Sequence, residues 1–367
     1  MALIVLSFDG VSDKDFEAMA SKPNLYPNIA RLKDESHYKG GIRSVFVSNT
    51  YPTHAAVSTG KLPYEHGVIS NYKNAGHKKK WAQEVDCYKT ETIWDVAKKR
   101  GYRVASVFWP TTCKADIEFN MPEVHTRVPL YQLSANLRNG NSRFQTKMLM
   151  KYGRSLLNFS PVGLDSFITS VVCDVYNGNK MGLILAHFYA YDLISHKVGS
   201  KSALLEKARR SLDRCVGKLL ELADDATLLV FSDHGHFDVN ETVDLRRFFY
   251  DAVYEQCGGC AFFKELPRDI ETFEWFERML SEQEMIQCGY LSKAAFGIAA
   301  KRGYDFSDKG KSMSNHGYPI DYEDYNVFYL LRAKNGDKIL KDAALRFGDL
   351  RDVTLIISQS LGLEMEI

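Results

Sequence analysis

Short runs of Val, Ile, Leu and Phe, each about the length of one strand, recur along this 367-residue chain and are separated by longer stretches whose apolar positions have helical spacing. That alternation constrains the fold most, because a run apolar on both faces belongs in a mainly parallel sheet with helices covering each side. The expected class is α/β. Strands are predicted at 3–8, 42–47, 102–108, 181–188, 226–231 and 326–331, and helices at 13–20, 26–34, 52–59, 92–99, 202–223 and 353–361. The helix at 202–223 is read as a crossover between neighbouring strands.

Between residues 235 and 315 the alternation lapses into irregular segments at 246–254 and 257–266 and a helix-like stretch at 269–280. This predicts a core formed by 1–235 and 316–367, with 236–315 inserted as a substrate-selecting cap. Lys and Arg (47) nearly balance Asp and Glu (46), so no global field draws the chain onto a polyanion, and a nucleic-acid polymer is not an expected partner. The basic run from His77 to Lys80 reads as a solvated loop. No apolar stretch reaches the ~18 residues that a membrane span requires. The seven cysteines lack disulfide-framework density, and Met1 leads directly into an apolar strand; both features suggest a cytoplasmic protein. Nothing in the sequence sets an oligomeric state.

Four places put metal-ligating residue types just beyond a strand or beside a glycine. Asp9 precedes Gly10 at the end of the opening strand. Asp192 and His196 stand four apart after the strand ending at Phe188; on a helix both would project from one face and could share an ion. Asp233 and His234 follow an apolar strand and precede Gly235, and His316 precedes Gly317. Taken singly, Asp9 reads more often as a turn or cap than as a ligand, Asp192 and His196 read evenly as a surface pair or a ligand pair, and His316 reads as polar surface. Open α/β sheets place their ligands at the carboxyl ends of strands, so the agreement among the four carries the weight.

The ordered series FDG, NTYPTH, STGKLPYEHGVISN, YDLISH, SDHGH and NHGYP resembles the nucleotide pyrophosphatase/phosphodiesterase family of the alkaline phosphatase superfamily. The resemblance implies an alkaline-phosphatase-like three-layer α/β/α core and two divalent ions, zinc by preference and manganese next. It assigns Asp9, Asp233, His234 and the Thr50 oxygen to one ion, and Asp192, His196 and His316 to the other. Thr50 would be the nucleophile, Asn71 a phosphate-contacting donor, and Tyr51 an aromatic platform for a flat leaving group. The substrate would be a small phosphate ester or anhydride, cleaved through a phosphothreonine intermediate. Thr53 and Ser195 depart from an asparagine and a glycine common in the family, which touches substrate preference rather than chemistry. His54, His66 and His236 take supporting or packing roles.

Two other classes compete. A phosphomonoesterase, phosphonate hydrolase or phosphomutase could use the same metal core. A metal or redox module could instead be built on Cys257 and Cys260, whose spacing suits a dithiol.

Overall fold

The computed structural model describes residues 2–367 apart from 76–77, 127–130, 159, 179, 223–225, 250, 309, 334–337 and 340–345. The strands that matter below are β1 (Leu3–Phe8), β2 (His37–Ile42), β3 (Val104–Val107), β4 (Phe119–Met121), β5 (Leu183–Phe188), β6 (Thr227–Ser232), β7 (Val253–Cys257), β8 (Cys260–Phe263), β9 (Phe276–Met279), β10 (Phe296–Ala300) and β11 (Val327–Arg332). The helices are α1 (Asp13–Ala20), α2 (Pro27–Asp34), α3 (Thr50–Thr59), α4 (Ile93–Lys99), α5 (Gln132–Asn139), α6 (Ser142–Tyr152), α7 (Pro161–Gly178), α8 (Ala190–Val198), α9 (Ala203–Leu220) and α10 (Asp352–Leu361).

A seven-stranded sheet runs in the order β2-β11-β6-β1-β5-β3-β4. β1 lies parallel between β5 and β6, and only β11 opposes the common direction. Side chains alternate between the faces, as the pleat requires. Ile4, Leu6, Ile184, Leu228 and Val230 enter a core closed by α1, α2, α7 and α9. Leu3, Val5, Leu183, Leu185 and Leu229 enter the opposite core, closed by α3, α4 and α10. The expected α/β/α layering is present.

A second sheet, antiparallel in the order β7-β8-β10-β9, stands within 253–300. One of its faces buries Phe262, Tyr290 and Ala299 against Phe46 and Val47, just ahead of α3.

Several expectations need correction. The run 42–47 is not a strand: β2 ends at Ile42, Val45 fills the core beside α3, and Phe46 and Val47 seat the second sheet. Its apolar character marked burial at a junction. The true strand reads His-Tyr-Lys-Gly-Gly-Ile, an edge strand with alternating exposure and little apolar signal. The 202–223 helix does not join neighbours, because β1 lies between β5 and β6; residue 223 itself falls outside the described residues. The stretch 269–280 is not helical: it forms a short turn of 3₁₀ helix and β9, whose residues pair with β10. Lys78–Trp81 is a hairpin strand paired with Tyr72–Ala75 rather than a loop, and His77 lies outside the described residues. The sequence reading also passed over 109–180, which supplies β4, α5, α6 and α7.

Candidate metal centre

β1, β5 and β6 end side by side, and each continues directly into functional residues. Asp9 follows β1, Asp192 and His196 sit on α8 after β5, and Asp233 and His234 follow β6. Gly10 adopts φ 70° and donates its N–H to Asp233 Oδ1, so the first exit loop holds the third. His316 arrives from far along the chain on a loop bonded to the same end of the sheet, with Gly317 N–H donating to the Ser48 carbonyl.

Around Thr50 the geometry is close. His234 Nε2 lies 3.3 Å from Thr50 Oγ1, 3.3 Å from Asp9 Oδ1 and 3.4 Å from Asp233 Oδ2. Asp233 Oδ1 is occupied by the N–H groups of Gly10 and His234, which leaves Oδ2 facing the cluster. Asp9 Oδ1 and Asp233 Oδ2 are buried and have no hydrogen-bond partner among the described residues. Such oxygens are costly without a donor or a cation. Burial, then the charges of Asp192 and Asp233, lift the Asp9 carboxyl well above its usual range, while burial lifts Asp233 to about 6. Burial also pushes His234 down to about 4, so its imidazole is neutral and its Nε2 lone pair is available. Mixed carboxylate and imidazole donors with no thiolate suit zinc or a similar divalent ion.

Asn49 holds the cap position of α3 and makes no capping bond; its Oδ1 accepts instead from His316 Nδ1 at 2.9 Å. Thr50 is the first residue of α3, and its hydroxyl faces the acids. His54, one turn on, donates from Nδ1 to the Thr50 carbonyl and accepts from Ser7 at Nε2, so it fixes the first turn of α3 and keeps no free nitrogen. Burial holds His54 well below the usual imidazole range.

Asp192 and His196 share a helix face as spacing predicted, with Nε2 3.3 Å from Asp192 Oδ1. His196 Nδ1 donates to the Ser314 carbonyl at 2.8 Å. The rings of His316 and His234 stack at 3.9 Å. Three ligand trios converge within 4.8 Å among the described residues: Asp9 with Asp233 and His234, Asp192 with His234 and His316, and Asp192 with His196 and His236. The first is the expected set. In the second, His316 groups with His234 rather than His196. The third brings in His236, which the sequence reading left in a supporting role.

Asn71 Oδ1 accepts the Tyr51 N–H at 3.0 Å, and Asn71 lines the cavity. Tyr51 is only 1% exposed and packs against Ala55 and Val68, so it offers little ring face to a ligand. Trp81 and His125, whose rings stack at 3.9 Å, also line the cavity. Sequence reasoning also missed His187, whose Nε2 lies 3.2 Å from Asp9 Oδ2, and Glu123, a buried acid on the cavity wall. Both sit in strands or segments without a motif to flag them. The cavity above the centre measures about 780 Å³, and α5, α6 and α7 contribute Leu133, Leu149 and Leu164 to its apolar side.

Cys257 and Cys260 face each other across the β7-β8 hairpin, and neither joins a ligand trio among the described residues. The intervening glycines are held by close packing. Gly258 has φ 63°, and a Cβ there would stand 1.7 Å from the His316 carbonyl oxygen; one on Gly259 would stand 2.1 Å from the Tyr318 ring. The hairpin tip therefore presses backbone to backbone on the His316 loop.

Comparison with known proteins agrees with this picture. The family model described as type I phosphodiesterase / nucleotide pyrophosphatase matches residues 3–284. Human ectonucleotide pyrophosphatase/phosphodiesterase family member 1 is 26% identical over 231 residues, covering 58% of this chain and 21% of that protein. The venom phosphodiesterase CdcPDE of Crotalus durissus collilineatus is 23% identical over 292 residues, covering 74% of this chain and 31% of that protein. The chain thus spans a fifth to a third of the length of these relatives. Murine ectonucleotide pyrophosphatase / phosphodiesterase 5 superposes with TM-score 0.70 at 15% identity, covering 100% of this chain and 96% of that one. Phosphonoacetate hydrolase from Sinorhizobium meliloti 1021 superposes with TM-score 0.66 at 14% identity, covering 98% and 96%. These likenesses show the alkaline-phosphatase-like fold that the motif series implied. With the family model spanning most of its length, this chain belongs to the type I phosphodiesterase / nucleotide pyrophosphatase family.

Proposed function

We propose that the chain is a two-metal hydrolase of phosphodiester or phosphoanhydride bonds, with nucleotide-type substrates favoured and Thr50 as nucleophile. The observation that carries this reading is the pair of orphaned buried oxygens on Asp9 and Asp233, converging with His234 Nε2 on the Thr50 hydroxyl. Asp9, Asp233, His234 and Thr50 would hold one divalent ion, and Asp192, His196 and His316 the other, with zinc fitting best and manganese next. When bound, such ions acidify a coordinated hydroxyl and neutralise charge on phosphoryl oxygens.

Thr50 Oγ attacks phosphorus in line, and the bond to the leaving oxygen breaks. Water then attacks the phosphothreonine from the vacated side and frees Thr50. Two in-line displacements retain configuration at phosphorus. His54, bonded to the Thr50 carbonyl, keeps the hydroxyl on its bearing. With its Oδ1 taken by the Tyr51 N–H, Asn71 donates from its amide nitrogen to a non-bridging oxygen as charge builds there. Tyr51 contributes the edge of a flat-group subsite whose face is Trp81. The region 236–315 acts as the substrate-selecting cap on the core of 1–235 and 316–367.

A diester is favoured over a monoester because Lys197 is the one Lys or Arg among the described lining residues, and a dianionic group is better held by a cationic clamp. The seven cysteines, none in a disulfide, support work in a reducing compartment such as the cytoplasm. Among the described residues no helix is long and apolar enough to cross a membrane.

The test is turnover of bis(p-nitrophenyl) phosphate and p-nitrophenyl phosphate by zinc-loaded protein. The diester is expected to be the better substrate, and Thr50→Ala to lose at least about a thousandfold in kcat. Equal turnover by that variant removes Thr50 from the mechanism.

A further inference from the structure

We infer that His236 is itself a ligand of the second ion, joining Asp192 and His196. The inference rests on the two-metal reading above and goes beyond it, since the family resemblance gives His236 no such role.

The imidazoles of the centre share one construction. His316 Nδ1 donates to Asn49 Oδ1 at 2.9 Å, His196 Nδ1 to the Ser314 carbonyl at 2.8 Å, and His234 Nδ1 to the Gly235 carbonyl at 3.3 Å. In each case the bond fixes the ring and leaves Nε2 toward the acids, which is how metal-ligating histidines are oriented. His236 repeats the pattern: Nδ1 meets Ser314 Oγ at 3.1 Å, and Nε2 points at Asp192 Oδ1, 2.7 Å away. His54 differs, because its Nε2 meets the Ser7 hydroxyl rather than a carboxylate of the trios.

Position agrees with orientation. His236 completes a trio with Asp192 and His196 within 4.8 Å, whereas His316 forms its tight trio with Asp192 and His234. Two ligands bonded to one ion at about 2.0–2.2 Å stand roughly 3.3 Å apart in a tetrahedral site. The His196 to Asp192 separation of 3.3 Å already has that value, and His236, at 2.7 Å, needs to withdraw by about 0.6 Å. With an ion present, the ring takes the Nδ1–H tautomer, donates to Ser314 Oγ, and offers Nε2. The slot for this ring is built into the β1 exit. A Cβ on Gly10 would lie 2.7 Å from His236 Cδ2 and Nε2, so the glycine of the first motif makes room for the imidazole of the fifth.

The consequence is a nitrogen-rich second site with Asp192, His196, His236 and His316 around it, and a first site that keeps the Thr50 hydroxyl. The experiment is a crystal structure of the zinc-loaded full chain with anomalous diffraction at the zinc edge. A second zinc peak about 2.2 Å or less from His236 Nε2 is expected. A peak bonded to Asp192 and His196 with His236 Nε2 beyond about 3 Å overturns the inference while leaving the two-metal reading standing; no bound zinc overturns both. In solution, competition with a chromophoric chelator should show His236→Gln weakening one zinc equivalent at least tenfold and sparing the other. Ser314→Ala, which keeps the imidazole, should weaken it less. Two unchanged equivalents in His236→Gln overturn the inference, and if that variant fails to fold the crystal structure decides.

Discussion

Asn49 shows how a residue beside the proposed nucleophile serves a proposed ligand on another segment. It occupies a helix cap without capping, and its carbonyl oxygen steers His316 from 267 positions away. Removing that acceptor leaves the His316 ring free to turn, so Asn49→Ala should lower zinc affinity by about 10- to 100-fold, read by chelator competition, without loss of helix α3 by circular dichroism. Gly10 makes the matching case for space. Gly10→Ala meets both a positive φ and the His236 ring, and thermal unfolding should show a loss of at least about 1 kcal/mol. At this scale much was legible. Asp9, Asp192, His196, Asp233 and His234 stand at strand ends, where residue type and local pattern are visible together. The contact of His236 with Asp192 was not legible because that acid lies 44 residues away, nor was Glu123, because nothing local distinguishes a buried acid on a cavity wall from a solvated one.

Among elements, α8 carries two of the proposed ligands, and its start is seated by Asp165 of α7. The buried Asp165 carboxylate accepts the N–H groups of Tyr189 and Ala190 at 2.9 and 3.3 Å. Burial outweighs those bonds and lifts its pKa to about 7. The folded state therefore holds this proton more tightly than the unfolded chain does. Asp165 contributes most below pH ~4, and that contribution is lost as pH rises toward 7, on the order of 4 kcal/mol by linkage. Asp165→Asn keeps an acceptor without the charge, so its melting temperature should exceed that of the unaltered chain at pH 8, the gap closing toward pH 4. A gap independent of pH would show that the carboxylate's ionisation does not matter there. Elements were legible where both faces of a strand are buried, as in β1, β5 and β6. Polar β2 was not, because an edge strand signals by pairing rather than composition, and 42–47 misled because a packed junction is as apolar as a strand.

For the molecule as a whole, the centre joins the exits of β1, β5 and β6 to the loop bearing His316, so ions that bind it bind only the folded chain. Zinc at 100 times its dissociation constant should stabilise by about 2.7 kcal/mol per site, and melting with and without a chelator should differ by several degrees. No difference would separate the cluster from metal binding. The α/β class was readable from periodicity, but strand order was not, since nothing local says that β1 would lie between β5 and β6. Nor was the cavity's apolar side, built by helices in a stretch where no motif drew notice. The glycine pair at the tip of the β7-β8 hairpin bears on how such molecules can be re-engineered. Because the tip abuts the main chain at His316 with no room for any side chain, a transplanted recognition module would carry its own registration onto the ion-holding loop. Grafts that test the proposed cap therefore have to be cut outside residues 258 and 259.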